Sequence, residues 1–326
     1  MDTSNTDTTT YSSTITYNTI TYTLYYFTDT SSLTKLITFS QNTEVFYLVV
    51  GDGGDGGGGG REVNYTCYMN SVIQLIMNCP NFLKVILNSK NDSEKIQLFK
   101  SFIIKYFDNV GNSISPSEIK KIISSYPMFD SFEQHDAHEC LIYLIDMLCE
   151  EVREAKYLFN LKIYTRIKNL EEEQKNLFSD EIVLSLPVSQ NLSESYKLFC
   201  KKEIIDGWLS DKTNTKVRAE KQYIVCFWGY YVIIVFKKYN SHKKINTNIE
   251  IPHSWSIQNY TNSNVETISF EISGAIIHYG NLTSGHYIAL VKKEGKFYLC
   301  NDSSIEEIKE PNDLINRAYI VLFKRE

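Results

Sequence analysis

The sequence predicts an α+β fold with helices first, strands later and one main cleft between the halves. Three observations carry this. Around Asn70 to Cys79, apolar residues fall at Met69, Val72, Ile73, Ile76 and Met77, the spacing of one helix face. A second stripe, Cys140, Leu141, Leu144, Ile145 and Leu148, follows Asp136, which can cap a helix, with Glu139 three residues on to complete a capping box. After about residue 160 the helical spacing gives way to runs rich in β-branched and aromatic residues.

Residues 1 to about 50 are dominated by Thr, Ser and Tyr. Stretches such as Thr14-Ile15-Thr16-Tyr17 have strand propensity without a clear alternation of faces. The Gly/Asp tract from Gly51 to Gly60 loses much backbone entropy on ordering, so it reads as a flexible linker. Residues 1–60 are therefore expected to be a disordered tail, some of which could dock as edge strands, and residues 61–326 one domain. The first helix should stop before Pro80. Further helical stretches span about Ser93 to Phe107 and Ser117 to Ser125, and the capped helix runs from Asp136 to about Val152. Strands are expected at Glu181–Leu186, Tyr223–Tyr239, Ala275–Gly280, His286–Lys292, Lys296–Cys300 and Ala318–Phe323.

The composition excludes several classes of function. The chain has 326 residues, 43% of them hydrophobic, with a formal net charge of -6 and no basic block, which argues against nucleic acid as a partner. Its 7 cysteines are scattered with no Cys-x-x-Cys pair. They read as the reduced thiols of an intracellular protein, in cytoplasm or nucleus, and not as a disulfide framework or a paired-cysteine metal site. No basic-then-apolar leader opens the sequence, and no run of about eighteen apolar residues suggests a membrane helix.

Cys67 stands where the first helix begins. A helix N-terminus carries partial positive charge and unsatisfied N–H groups, which favour a thiolate. A lone cysteine is more often a small core residue; what raises Cys67 is the segment His278–Asp302, "HYGNLTSGHYIALVKKEGKFYLCND". There Gly285 lets a backbone come close before His286, and two strands flank a turn near Glu294-Gly295. If Lys293 pairs with Lys296, His286 lies opposite Ser303 and diagonal to Asn301. A slip of one residue would bring Asp302 to it instead. In either register a polar side chain can orient the imidazole. Cys, then His, then Asn or Asp is the order of papain-like thiol proteases. Elsewhere, His135, His138 and Cys140 lie close in sequence but do not read as a metal site. The run Glu171-Glu172-Glu173 reads as a solvated face, and Phe227-Trp228-Gly229-Tyr230-Tyr231 as sheet core.

Taken together, these segments resemble the ubiquitin-specific protease family. "NYTCYMNSVIQ" is similar to its cysteine box, "EQHDAHECLIYLIDMLCEE" to its helix entry, and "SGHYIALV" with "FYLCNDSSI" to its histidine box. Smaller echoes are "LSLPV", "VIIVFKKY", "IEIPHSW" and the closing "AYIVLFKRE". The resemblance spans about residues 61–326, in the family's order. It implies a papain-like α+β fold of helical thumb, antiparallel β palm and β fingers, and a deubiquitinating isopeptidase. Cys67 matches the nucleophile, His286 the general base and Asn301 the third triad position, with Asp302 the acidic residue after it. Asp136 and Tyr287 match positions that hold the ubiquitin tail, whose arginines would suit carboxylates such as Asp136 and Glu133. The implied partner is ubiquitin or ubiquitinated proteins, the enzyme acting as a monomer without a cofactor.

Three departures from the family pattern qualify this. Glu62 stands where the family places an asparagine as oxyanion donor, and losing one such donor costs about a hundredfold to a thousandfold in rate. Asn64 replaces a glycine and still tolerates a left-handed conformation. The fingers, roughly residues 159–225, hold only Cys200 where many members carry four zinc-binding cysteines, so short, metal-free fingers are expected. Glu62 also leaves room for a ubiquitin-binding pseudoprotease, and the family for a protease of a ubiquitin-like modifier.

Overall fold

A computed structural model describes residues 10–17, 20–27, 66–108, 113–130, 134–171, 173–239, 244–261, 264–281 and 285–326. The chain divides into two compact units, residues 1–45 and 46–326. In the first unit, strands β1 (Thr10–Tyr17) and β2 (Ile20–Phe27) pair antiparallel, from Thr10 opposite Phe27 to Tyr17 opposite Ile20. Part of the segment read as a disordered tail is thus a strand pair, which the Thr and Tyr content favours. The glycine tract lies outside the described residues.

The second unit begins with helices α1 (Cys67–Met77), α2 (Pro80–Asn88), α3 (Glu94–Asp108), α4 (Ser117–Ile123), α5 (Ala137–Glu151) and α6 (Arg153–Phe159). The expected apolar stripe of α1 understates its burial: every residue from Cys67 to Met77 is buried. Polar groups on such a helix need partners. The Tyr106 hydroxyl donates to Gln74 Oε1 at 2.8 Å, and Asn78 Nδ2, just past the helix, donates to the Ser273 carbonyl at 2.6 Å. Pro80 does more than stop this helix: it is the first residue of α2, where its missing N–H is no loss. As expected, Asp136 caps α5, its Oδ1 accepting from the His138 N–H at 2.6 Å.

The remaining elements are β3 (Leu161–Asn169), β4 (Gln174–Glu181), β5 (Val183–Leu186), α7 (Leu192–Cys200), β6 (Glu203–Leu209), β7 (Lys216–Phe227), β8 (Tyr231–Phe236), β9 (Ser254–Thr261), β10 (Asn264–Gly280), β11 (Gly285–Lys293), β12 (Lys296–Asn301), β13 (Ser304–Ile308), α8 (Asn312–Asn316) and β14 (Ile320–Arg325). The main sheet runs β13-β12-β11-β10-β14-β8-β5, with β9 also on β10. It is antiparallel except at its edge, where β5 lies parallel to β8. A parallel pair needs a long crossover, and α7, β6 and β7 supply it. A second, four-stranded sheet has the order β4-β3-β7-β6 and is the finger layer.

The run Tyr223–Tyr239, read as one strand, is two strands in two sheets. The break falls at Gly229, where a Cβ would lie 2.7 Å from the Leu158 carbonyl oxygen. Trp228 and Tyr231 are core, but Phe227 is exposed, so only part of that aromatic run is sheet interior. Trp228 meets Tyr196, Trp255 and Phe270 with ring centroids 5.7–5.9 Å apart. The acidic run also differs from its reading. Glu173 is buried, takes the Asp211 and Lys212 N–H groups at 2.8 and 3.1 Å and is bonded by the Ser210 hydroxyl. It locks the β3–β4 turn to the β6–β7 turn. No helix among the described residues is long and apolar enough to cross a membrane.

Candidate active site

The site is assembled where α1 packs on β11 and β12. Cys67 is the first residue of α1 and is 8% exposed. β11 and β12 adopt the register with Lys293 opposite Lys296. That resolves the alternatives left by the sequence: His286 Nε2 donates to Asn301 Oδ1 at 2.6 Å, while Asp302 Oδ2 stays 3.9 Å from the same nitrogen. Holding the proton on Nε2 leaves Nδ1 to receive another.

The same imidazole interacts with the Cys67 side chain. This contact, aided by Asn301 and the charge of Asp302 and opposed by burial, pushes the pKa of His286 up to about 9. The imidazole is therefore held protonated beside the sulfur at neutral pH. Asp302 adopts φ 44° and turns its other oxygen to α1, where Asn70 Nδ2 donates to it at 2.7 Å. The sequence signal for Asn70 is an asparagine three residues after the cysteine on a mostly apolar, buried helix.

Asp136 stands at the start of α5, and Tyr287 follows His286 on β11. Besides capping α5, Asp136 accepts from the Tyr319 hydroxyl at 3.2 and 3.1 Å. Burial, and after it the charge of Asp136, raise the pKa of Tyr287, whose ring centroid lies 4.4 Å from that of His278. His278 in turn meets the Tyr239 hydroxyl at 2.5 Å and Lys244 Nζ at 3.1 Å. Burial, Lys244 and His286 push its pKa down to about 4, so it is neutral.

The structure thus brings together Cys67, His286, Asn301 and Asp302, with Tyr287 beside His286 on β11 and Asp136 near Tyr287. Glu62, Asn64 and Glu133 lie outside the described residues. His135 packs edge-on against Tyr68 and Phe129, His138 edge-on against Tyr319, and Cys140 is fully buried. Among the described residues no group of three His, Cys, Asp or Glu could hold a metal.

A sulfur beside a positioned imidazole, itself oriented by an amide, can attack a carbonyl while the imidazole passes a proton to the leaving group. The comparisons agree in kind. The family model described as "Ubiquitin carboxyl-terminal hydrolase" matches residues 59–323. The chain is 24% identical to ubiquitin carboxyl-terminal hydrolase Usp2 of Drosophila melanogaster, over 83% of this chain and 35% of that protein. It is 26% identical to ubiquitin carboxyl-terminal hydrolase 25 of Arabidopsis thaliana, over 81% and 47%. The probable ubiquitin carboxyl-terminal hydrolase 16 of Schizosaccharomyces pombe is 24% identical, over 80% and 65%. The chain therefore spans between about a third and two thirds of the length of these relatives. Among solved structures, the SAGA Ubp8/Sgf11/Sus1/Sgf73 DUB module bound to ubiquitin aldehyde shares the fold, with a TM-score of 0.71 at 18% identity over 90% of this chain and 72% of that one. From the sequence boxes, the site and the family match together, the chain belongs to the ubiquitin carboxyl-terminal hydrolase family.

Proposed function

We propose that the protein is a thiol isopeptidase that cleaves after the C-terminal glycine of ubiquitin attached to other proteins. The single observation that supports this most is the imidazole of His286, hydrogen-bonded to Asn301 and interacting with the Cys67 side chain. Cys67 attacks the glycine carbonyl and a tetrahedral intermediate forms. His286 gives its proton to the departing amine, and an acyl-enzyme remains. His286 then takes a proton from water, which attacks the thioester and releases ubiquitin. Asn301 holds the ring in the tautomer this requires. Asp302 adds negative charge near the imidazolium, and Asp136 and Tyr287 line the path of the ubiquitin tail. Residues 61–326 form the catalytic domain, with 1–60 as an appended tail. All seven cysteines are free thiols, which suits a reducing, intracellular compartment.

The relatives are named as ubiquitin hydrolases, and two of the solved structures are described as bound to monoubiquitin and to ubiquitin aldehyde. Both facts support ubiquitin as the partner. A binding-only pseudoprotease is the rival reading, favoured by Glu62 in the sequence. A ubiquitin carrying a C-terminal electrophile separates the two. Covalent capture at Cys67 and hydrolysis of a ubiquitin C-terminal amide support the isopeptidase; binding without either supports the rival.

A further inference from the structure

Gly285 is clamped from two sides. On one side it pairs with Gly280 of β10, and a Cβ there would fall 2.0 Å from His278 Nε2 and 2.3 Å from the Tyr279 carbonyl oxygen. On the other side, both of its backbone hydrogen-bonding groups face the segment that leads into α5. The Gly285 N–H donates to Gln134 Oε1 at 3.0 Å, and Gln134 Nε2 donates to the Gly285 carbonyl at 3.0 Å. This is the double exchange by which one residue of an antiparallel strand holds another, performed here by a side chain. The ladder between β11 and β12 begins only at Ala289 opposite Cys300, so β12 does not support this end of β11. The next residue is His286.

We infer that Gln134 is a positioning residue for His286: its carboxamide stands in for the missing strand neighbour and fixes the backbone from which the imidazole projects toward Cys67. The inference rests on the isopeptidase reading. A shift of about 1 Å in a reacting group can cost on the order of a hundredfold in rate, and this end of β11 is where such a shift would arise. A carboxamide both donates and accepts, as the two bonds require. A carboxylate can only accept, and it would face the Gly285 carbonyl oxygen. A protonated carboxylic acid again does both.

Hydrolysis of a ubiquitin C-terminal amide by the full chain tests this. Gln134→Ala is expected to lose about tenfold to a hundredfold in kcat with KM unchanged and thermal unfolding close to that of the wild type. Gln134→Glu should be equally weak at neutral pH, but its activity relative to wild type should rise as pH falls through the carboxyl titration. Gln134→Ala should show no such rise. Alkylation of Cys67 by iodoacetamide gives a readout without substrate, and Gln134→Ala should slow it. Unchanged kcat and alkylation, or a pH-independent ratio for Gln134→Glu, would overturn the inference. A higher kcat/KM in Gln134→Ala would overturn it too, because the carboxamide would then be occupying a place the substrate takes. If the wild type is inert toward ubiquitin, the isopeptidase reading fails by itself, and the alkylation comparison still decides the role of Gln134.

Discussion

Asn70 Nδ2 donates to Asp302 Oδ1 at 2.7 Å, tying the helix that begins with Cys67 to the turn that follows Asn301. Removing the amide would leave a half-buried carboxylate without its donor, at a cost of about 1–3 kcal/mol. Asn70→Ala should therefore lower both the urea midpoint and kcat. Asn70→Asp should be worse at neutral pH, because it sets two carboxylates face to face, and should recover toward the alanine variant in acid. An aspartate variant as active as the wild type at neutral pH would show that the link is unimportant.

Labelling should be confined to Cys67. Burial raises the pKa of the other six thiols, Cys149 and Cys300 each to about 12. A ubiquitin C-terminal electrophile should modify one site, and Cys67→Ala should abolish the adduct. Mass mapping of the adduct to any other cysteine would reject the nucleophile assignment.

The pH dependence follows from His286. Its pKa is raised to about 9, first by the interaction with the Cys67 side chain. A raised pKa adds stability that is fully present below about pH 6.5, the ordinary histidine value, and is lost as pH climbs through about 9. The exposed side of the ring screens this, so the effect on melting should be small. Activity should show it more clearly, with a basic limb near pH 9. Cys67→Ala should move the imidazole titration, followed by NMR, downward, and Asn301→Ala should move it in the same direction. A titration that stays put in Cys67→Ala would contradict the pairing.

The fingers should depend on Glu173. Glu173→Ala strands the Asp211 and Lys212 N–H groups that the carboxylate now accepts, at a cost of about 1–3 kcal/mol. If the fingers grip ubiquitin, as the family resemblance implies, the loss should appear in ubiquitin affinity and KM, with kcat nearly kept because the turn is not at Cys67. Titration calorimetry against ubiquitin and steady-state kinetics read the two separately. A fall in kcat alone would place the effect elsewhere.

Glu62 offers a gain. If this carboxylate stands near the developing oxyanion, Glu62→Asn replaces repulsion with a donor and should raise turnover of a ubiquitin C-terminal amide by at least about tenfold. Affinity for ubiquitin should barely move, since the benefit arises only in the transition state. Equal or lower turnover in a folded variant would mean that other groups already fill the role.

The parts of this fold that were legible in the sequence are those governed by local rules. Asp136 announces α5 by its capping chemistry, and the Glu294-Gly295 turn narrows the hairpin to two registers, of which the structure takes the one that brings His286 to Asn301. Both needed only a few neighbouring residues. What escaped depends on distant partners. Gln134 has no local signature, because its two hydrogen bonds reach a glycine 151 residues away. Glu173 looks solvated in a run of acids until a turn some forty residues on closes over it. The strands of the finger layer leave little trace in the sequence. β4 is exposed along its whole length and β6 along most of it, which leaves no alternation of faces to read. Pro80 reads as a stop because a proline ends one helix and starts another by the same missing N–H.

The burial of α1 on every side has a consequence for how the domain comes apart. One apolar cluster runs from this helix through α2 to α6 and onto Tyr231, Ile276, Tyr287 and Ile320 of the main sheet. The walls of the cleft therefore share their central beam, and neither can keep a dry interior once it is withdrawn. Unfolding of residues 66–326 should be a single cooperative event, with the amides of α1 among the last to exchange hydrogen. A chain divided between α6 and β3 should give two fragments that fold only when mixed.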